Sequence, residues 1–137
     1  MKNYFRILYF IVVIFLSLFL CTSCDNKKPF VVFSTSEITQ ETQPIRLFKT
    51  GERIYYGLIS PKGFKDNVIK IQLFKQDDKS EYWGYSYYYS REVRLNNNNY
   101  YTDYFVIHNA GHYIMQVFNI SDLHSPVILG DLIVQDR

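Results

Sequence analysis

The run VIKIQLFK at residues 68–75 decides the fold class. Ile69, Ile71 and Leu73 fall on one side of a two-residue period, and Lys70, Gln72 and Phe74 on the other. That alternation is the mark of a strand with one buried face, since successive side chains of an extended chain point to opposite sides. Outward from it, further short apolar segments follow at residues 45–48, 53–60 (RIYYGLIS), 82–89, 91–95, 100–108, 112–120 and 127–134. Turn-forming residues separate them: TGE at 50–52, PKG at 61–63, a polar stretch at 76–80, four Asn at 96–99 and NAG at 109–111. No window after the first 20 or so residues carries an apolar stripe at the helical period. About seven strands with a turn every 8–12 residues predict an all-β antiparallel sandwich or small barrel.

The 137-residue chain is one domain's length, with ordinary apolar and charged fractions that argue against a disordered polymer. Its beginning has a different character. Lys2 and Arg6 precede ILYFIVVIFLSLFL at residues 7–20, and small polar residues follow. A basic start, a short apolar stretch and small residues at a cut site are the layout of a helical secretory signal; a spanning helix needs about 20 apolar residues. The segment Leu20-Cys21-Thr22-Ser23-Cys24 resembles the lipobox of bacterial lipoproteins, departing from it in having Cys21 where Leu is usual. The resemblance implies cleavage before Cys24, acylation of that thiol, and attachment of the protein to a bacterial membrane, on the periplasmic side or the cell surface. The organisation expected is a signal peptide at 1–23, a lipid-anchored tether at 24–43 with a possible leading edge strand at 29–33, and a β domain at 44–137.

Cleavage changes the charge argument. The whole chain has 15 basic and 13 acidic residues, but Lys2 and Arg6 leave with the signal, so the mature chain is balanced. A neutral domain has no global attraction for nucleic acid. Cys21 and Cys24 also spell C-x-x-C, yet one member would be cut away, so no internal disulfide is expected.

The stretch NAGHYIM at residues 109–115 resembles the corner between strands E and F of immunoglobulin-like domains. There a Tyr near the start of strand F bonds back to its own corner, two residues before the usual second Cys. Tyr113 fits the Tyr and Met115 the Cys position. The resemblance implies an immunoglobulin-like or fibronectin-like sandwich with residues 53–60 as strand B, 68–75 as C, 100–108 as E, 112–120 as F and 127–134 as G. It departs from the family in lacking the Cys pair and a Trp on strand C. The inward set expected is Tyr56, Leu58, Ile69, Ile71, Leu73, Phe105, Ile107, Tyr113, Met115, Val117, Leu129 and Ile133.

No catalytic Ser–His–Asp order, phosphate-binding Gly-rich loop or metalloprotease motif is present, and no carboxylate pair has a distinctive spacing. No enzyme activity and no cofactor are therefore expected. The function expected is non-catalytic binding, adhesion or envelope organisation. Eight Tyr fall between Tyr82 and Tyr104, an unusual concentration of large amphipathic side chains. Tyr85, Tyr87 and Tyr89 are candidate contact residues on that strand. Phe74, Ile114 and Phe118 are candidates on the outward side of strands C, F and G, where Val127 to Leu129 give G apolar residues on both faces, for a protein partner in the envelope or outside the cell. The alternative is a small periplasmic metal-binding protein or enzyme using His108 and His112, with Asp103 or Asp122 completing a ligand set.

Overall fold

The structure, a computed structural model, describes residues 27–76 and 85–137, and for 85–87 the backbone. Eight strands follow one another: β1 (Phe30–Ser34), β2 (Leu47–Lys49), β3 (Arg53–Ile59), β4 (Val68–Gln76), β5 (Tyr85–Arg94), β6 (Tyr100–Val106), β7 (Gly111–Asn119) and β8 (Ile128–Gln135). No helix occurs among the described residues. The expected signal peptide and Cys24 lie outside them, as do Tyr82 and Trp83.

The strands form two sheets, one ordered β1-β3-β6 and one ordered β2-β8-β7-β4-β5. All neighbours are antiparallel except β2 and β8, which run parallel. The possible edge strand expected at 29–33 is present at 30–34, pairing with β3 from Phe30↔Ile59 to Ser34↔Tyr55. Among the described residues the sheets therefore start at Phe30, within the stretch expected to be tether. Beyond β1 the chain crosses from the first sheet to the second. Ile45 N–H donates to the Phe33 carbonyl at 3.0 Å, and Ile133 N–H to the Arg46 carbonyl at 2.7 Å. The turn into β3 places Gly51 at φ +79°, where a Cβ would be strained.

One apolar core is shared by the two sheets. Phe33, Ile54, Tyr56 and Leu58 come from the first sheet, and Ile69, Ile71, Leu73, Met115, Val117 and Leu132 from the second. Of the expected inward residues, Tyr56, Leu58, Ile69, Ile71, Leu73, Ile107, Tyr113, Met115 and Val117 are buried, and Phe105 packs half-buried against them. Two are corrected. Leu129 is 63% exposed and Ile133 44%, because β8 turns its other side inward: Ile128, Leu132 and Val134 are buried. The pairing Val117↔Ile128 and Tyr113↔Leu132 fixes that parity, since directly opposed residues share a face. Leu129 and Ile133 share their side with Asp131 and Gln135, which belong in water.

Tyr113 does what its place in the sequence suggested. Its ring is buried, packs edge-on against Tyr88 at 5.2 Å, and its hydroxyl donates to the Asn109 carbonyl at 2.7 Å. Burial, then the neighbouring Tyr88, pushes its phenol up to about 12 from the usual 10.0, and burial raises that of Tyr56 as well. A raised phenol stabilises the fold fully below pH 10 and loses that contribution as pH climbs through the folded value. Chemical denaturation should therefore show stability constant from pH 7 to 9 and falling between pH 10 and 12. Tyr113→Phe should lower stability by about 1 kcal/mol at neutral pH, the usual worth of one hydrogen bond, and should make the alkaline decline shallower.

Candidate sheet-face site

The outer side of the five-stranded sheet is assembled by register. Lys70, Gln72, Phe74 and Gln76 of β4 lie on the side opposite to buried Ile69, Ile71 and Leu73. On β7 the matching positions are His112, Ile114, Gln116 and Phe118, and on β8 they are Leu129, Asp131 and Ile133. Pairing aligns Ile133 with His112, Asp131 with Ile114 and Leu129 with Gln116. It also aligns Ile114 with Phe74. At the β2 edge, Leu47 pairs with Ile133.

A polar ladder crosses this face. Arg46 Nη1 lies 3.1 Å from Asp131 Oδ1, Asp131 Oδ2 3.2 Å from His112 Nε2, and His112 Nδ1 2.9 Å from Gln76 Oε1. Leu47 and Ile133 stand to one side of it, and Ile114, Phe74 and Leu129 to the other. Leu47 is 52% exposed, which with Leu129 and Ile133 makes three large aliphatic residues open to solvent on neighbouring strands. Around the β8 edge, Leu129, Gly130 and Asp131 line a cleft of about 220 Å³ together with Phe30, Val31 and the 44–46 segment. A face with apolar groups flanking charge-bearing ones has the composition of a contact surface.

The expected contact residues divide. Phe74 and Ile114 lie on this face, half-buried and adjacent in register. Phe118 has the outward parity but is only 6% exposed, so it is not available for contact. Its register partner Lys70 is half-buried and carries an aliphatic stem of the kind that covers apolar surface. Tyr85 and Tyr87 occupy register positions opposite Gln76 and Phe74. Tyr89 is corrected: it packs against the core. The cause is a bulge. Leu73 pairs with Tyr89 but Phe74 with Tyr87, so Tyr88 is an extra residue and the period-two alternation of the strand breaks there.

Tyr89 instead belongs to a polar cluster closing the open side between the two sheets, where edge strands β5 and β6 face each other. Arg91 Nη1 donates to Asp103 Oδ2 at 2.8 Å, the Tyr101 hydroxyl donates to the same oxygen at 3.0 Å, and Tyr104 N–H donates to Oδ1 at 2.8 Å. The Tyr89 phenol bonds Arg91 and holds the guanidinium above its ordinary value. Burial, then the bond to Asp103, raises the Tyr101 phenol. Every group here has a partner, and the arrangement works as a clasp between sheets.

The histidines do not assemble a metal set. His112 is engaged by Gln76 and Asp131, Asp103 by Arg91 and Tyr101, and Asp122 Oδ1 by the His124 N–H at 3.1 Å. Among the described residues no group of three or more His, Cys, Asp or Glu is placed to hold a metal ion. Asp77, Asp78 and Glu81 lie outside the described residues.

The sequence reading left out Leu47 and took Leu129 and Ile133 as inward, although it counted strand G in the candidate face. For the last two the signal was present in the polarity of Asp131 and Gln135, which alternate with them.

No family model matches the chain, and no curated protein matches it. Solved structures do resemble it. One is the soluble domain of PmoD from Methylocystis sp. ATCC 49242 (Rockwell), with a TM-score of 0.54 and 10% identity over 80% of this chain and 94% of that one. Another is the CARDB domain of the PF1109 protein from Pyrococcus furiosus, solved with di-metal ions, with a TM-score of 0.37 and 12% identity over 80% of this chain and 90% of that one. At 10% identity the first likeness is one of fold alone.

Proposed function

We propose that this chain is a lipid-anchored, non-catalytic binding module of the bacterial cell envelope: an immunoglobulin-like sandwich that presents the outer face of its five-stranded sheet to a protein partner. The observation that carries the reading is the exposure of Leu47, Leu129 and Ile133 on adjoining strands of one face, beside the Arg46–Asp131–His112–Gln76 ladder. The aliphatic residues offer desolvation, and the ladder offers fixed donors and acceptors that set register and specificity.

The immunoglobulin-like assignment is supported by the strand order. With β3, β4, β6, β7 and β8 as strands B, C, E, F and G, the sheets read A-B-E and A′-G-F-C-C′. The Tyr113–Asn109 bond has the form of the tyrosine corner of such domains. The anchoring part rests on Leu20-Cys21-Thr22-Ser23-Cys24 and the segment before it.

Two measurements test the reading. Intact mass of the protein expressed in its native host should show the chain beginning at Cys24 and carrying acyl groups, and Cys24→Ala should abolish both changes; an unprocessed wild-type mass rejects the anchor. Cross-linking in the envelope, followed by capture, should identify a partner whose recovery drops about tenfold or more in the Leu129→Asp/Ile133→Asp double variant, the scale of an interface hot spot. The variant's near-ultraviolet circular dichroism should match wild type. Undiminished recovery from that folded variant would reject the face.

A further inference from the structure

Three loops meet at one end of the body. The β3–β4 loop (residues 60–67), the β5–β6 loop (95–99) and the β7–β8 loop (120–127) are stitched together. Ser60 and Phe64 N–H donate to the Asn99 and Asn98 carbonyls, both at 2.7 Å, and Leu95 N–H donates to the Asn67 carbonyl at 2.7 Å. Ser121 N–H donates to Asp66 Oδ2 at 2.8 Å. The N-terminus of β1 is at this same end, because Phe30 pairs with Ile59 and Ile59 with Tyr100.

That position limits where the end can go. Phe30 is six residue steps from Cys24, and at the full reach of an extended chain these span at most about 20 Å. We propose that this loop end rests on an anionic lipid bilayer, an inference that depends on the Cys24 anchor proposed above. Its chemistry fits a headgroup surface. Lys28, Lys62, Lys65 and Arg94 are exposed there, as are the aliphatic side chains of Ile120 and Leu123. Two carboxylates stand among them: Asp66, which hydrogen bonds from Ser121 hold ionised, and Asp122, which accepts from the His124 N–H; the four basic residues outnumber them. Clustered basic residues are drawn to anionic headgroups within a Debye length, and short apolar side chains settle at the boundary with the acyl chains. The loops of this end then face lipid, and the sheet face, roughly at right angles to them, stays open to a partner.

The test uses the full processed chain reconstituted into vesicles of phosphatidylethanolamine and phosphatidylglycerol, or of phosphatidylcholine alone, with hydrogen–deuterium exchange read by mass spectrometry. Residues 60–67, 95–99 and 120–126 should exchange several-fold more slowly on the phosphatidylglycerol vesicles. The turns at 50–52 and 107–110, at the opposite end, should be unaffected. Lys28→Glu/Lys65→Glu should return the loops to their rate on phosphatidylcholine, and so should molar salt. Equal loop exchange on the two lipids, in protein whose mass confirms acylation, overturns this inference and leaves the anchor standing. A mass without acyl groups removes the anchor and this inference together.

Discussion

Replacing Leu132 by Ala is expected to cost about 2–5 kcal/mol of unfolding free energy, and replacing Ile133 by Ala about 1 or less. The two are adjacent on β8 and similar in size, so the difference isolates the direction in which each points. Leu132 is fully buried opposite Tyr113, at the centre of the core that joins the sheets. Truncating it removes the transfer free energy of three carbons and leaves a cavity that Tyr113 and its neighbours can only partly fill. Ile133 is part-exposed beside Leu47, and its truncation removes less buried area and leaves no enclosed cavity. Urea denaturation of both variants, with equal slopes, gives the comparison. Equal losses, or a larger loss for Ile133, would mean that β8 is shifted by one residue and that the proposed contact face is core.

Gly130→Val should destabilise by about 3 kcal/mol or more, the upper end for overpacking. Gly130 lies on the inward side of β8, where β1 of the other sheet crosses close by. A Cβ there would come within 2.2 Å of Val31 Cγ1 and 3.3 Å of Phe33 Cε2. The methyl of alanine already displaces the Val31 side chain, and the branched side chain of valine, meeting Phe33 as well, pushes β1 away. β1 is an edge strand held by β3 alone in its sheet, so it is the element that would yield. Limited proteolysis should then cut within residues 27–34 of the variant under conditions where wild type is resistant. A Gly130→Val protein with unchanged midpoint and cleavage pattern would contradict the close approach of β1 and β8.

The strands were legible wherever the sequence had one clear polar side. In VIKIQLFK the alternation of Ile and Leu with Lys and Gln gave both the element and its inward face. The same was true of Tyr113, Met115 and Val117, set by the corner before them. β8 was harder because ILGDLIVQ is apolar on both sides, and the tie is broken only by Asp131 and Gln135. The tyrosine strand was misread at Tyr89 for a different reason. A bulge inserts one residue without leaving a reliable composition mark, and every side chain beyond it changes face. The clasp of Arg91 on Asp103 was not foreseen, since it joins edge strands of different sheets. The outer face was half seen: Phe74 and Ile114 follow from alternation, whereas Phe118 is covered for reasons of local packing that alternation does not contain.

The path of β1 and β2 bears on how the molecule carries a pull. If Cys24 carries the lipid proposed for it, a load applied there and resisted at the far end of the body is directed along the strands. Five β1–β3 register pairs lie side by side in that direction, and behind them three pairs join β2 to the parallel strand β8. Such pairs slide together in shear and cannot be peeled open one by one. A body pulled from that end would thus hold its shape until whole strands slipped at once.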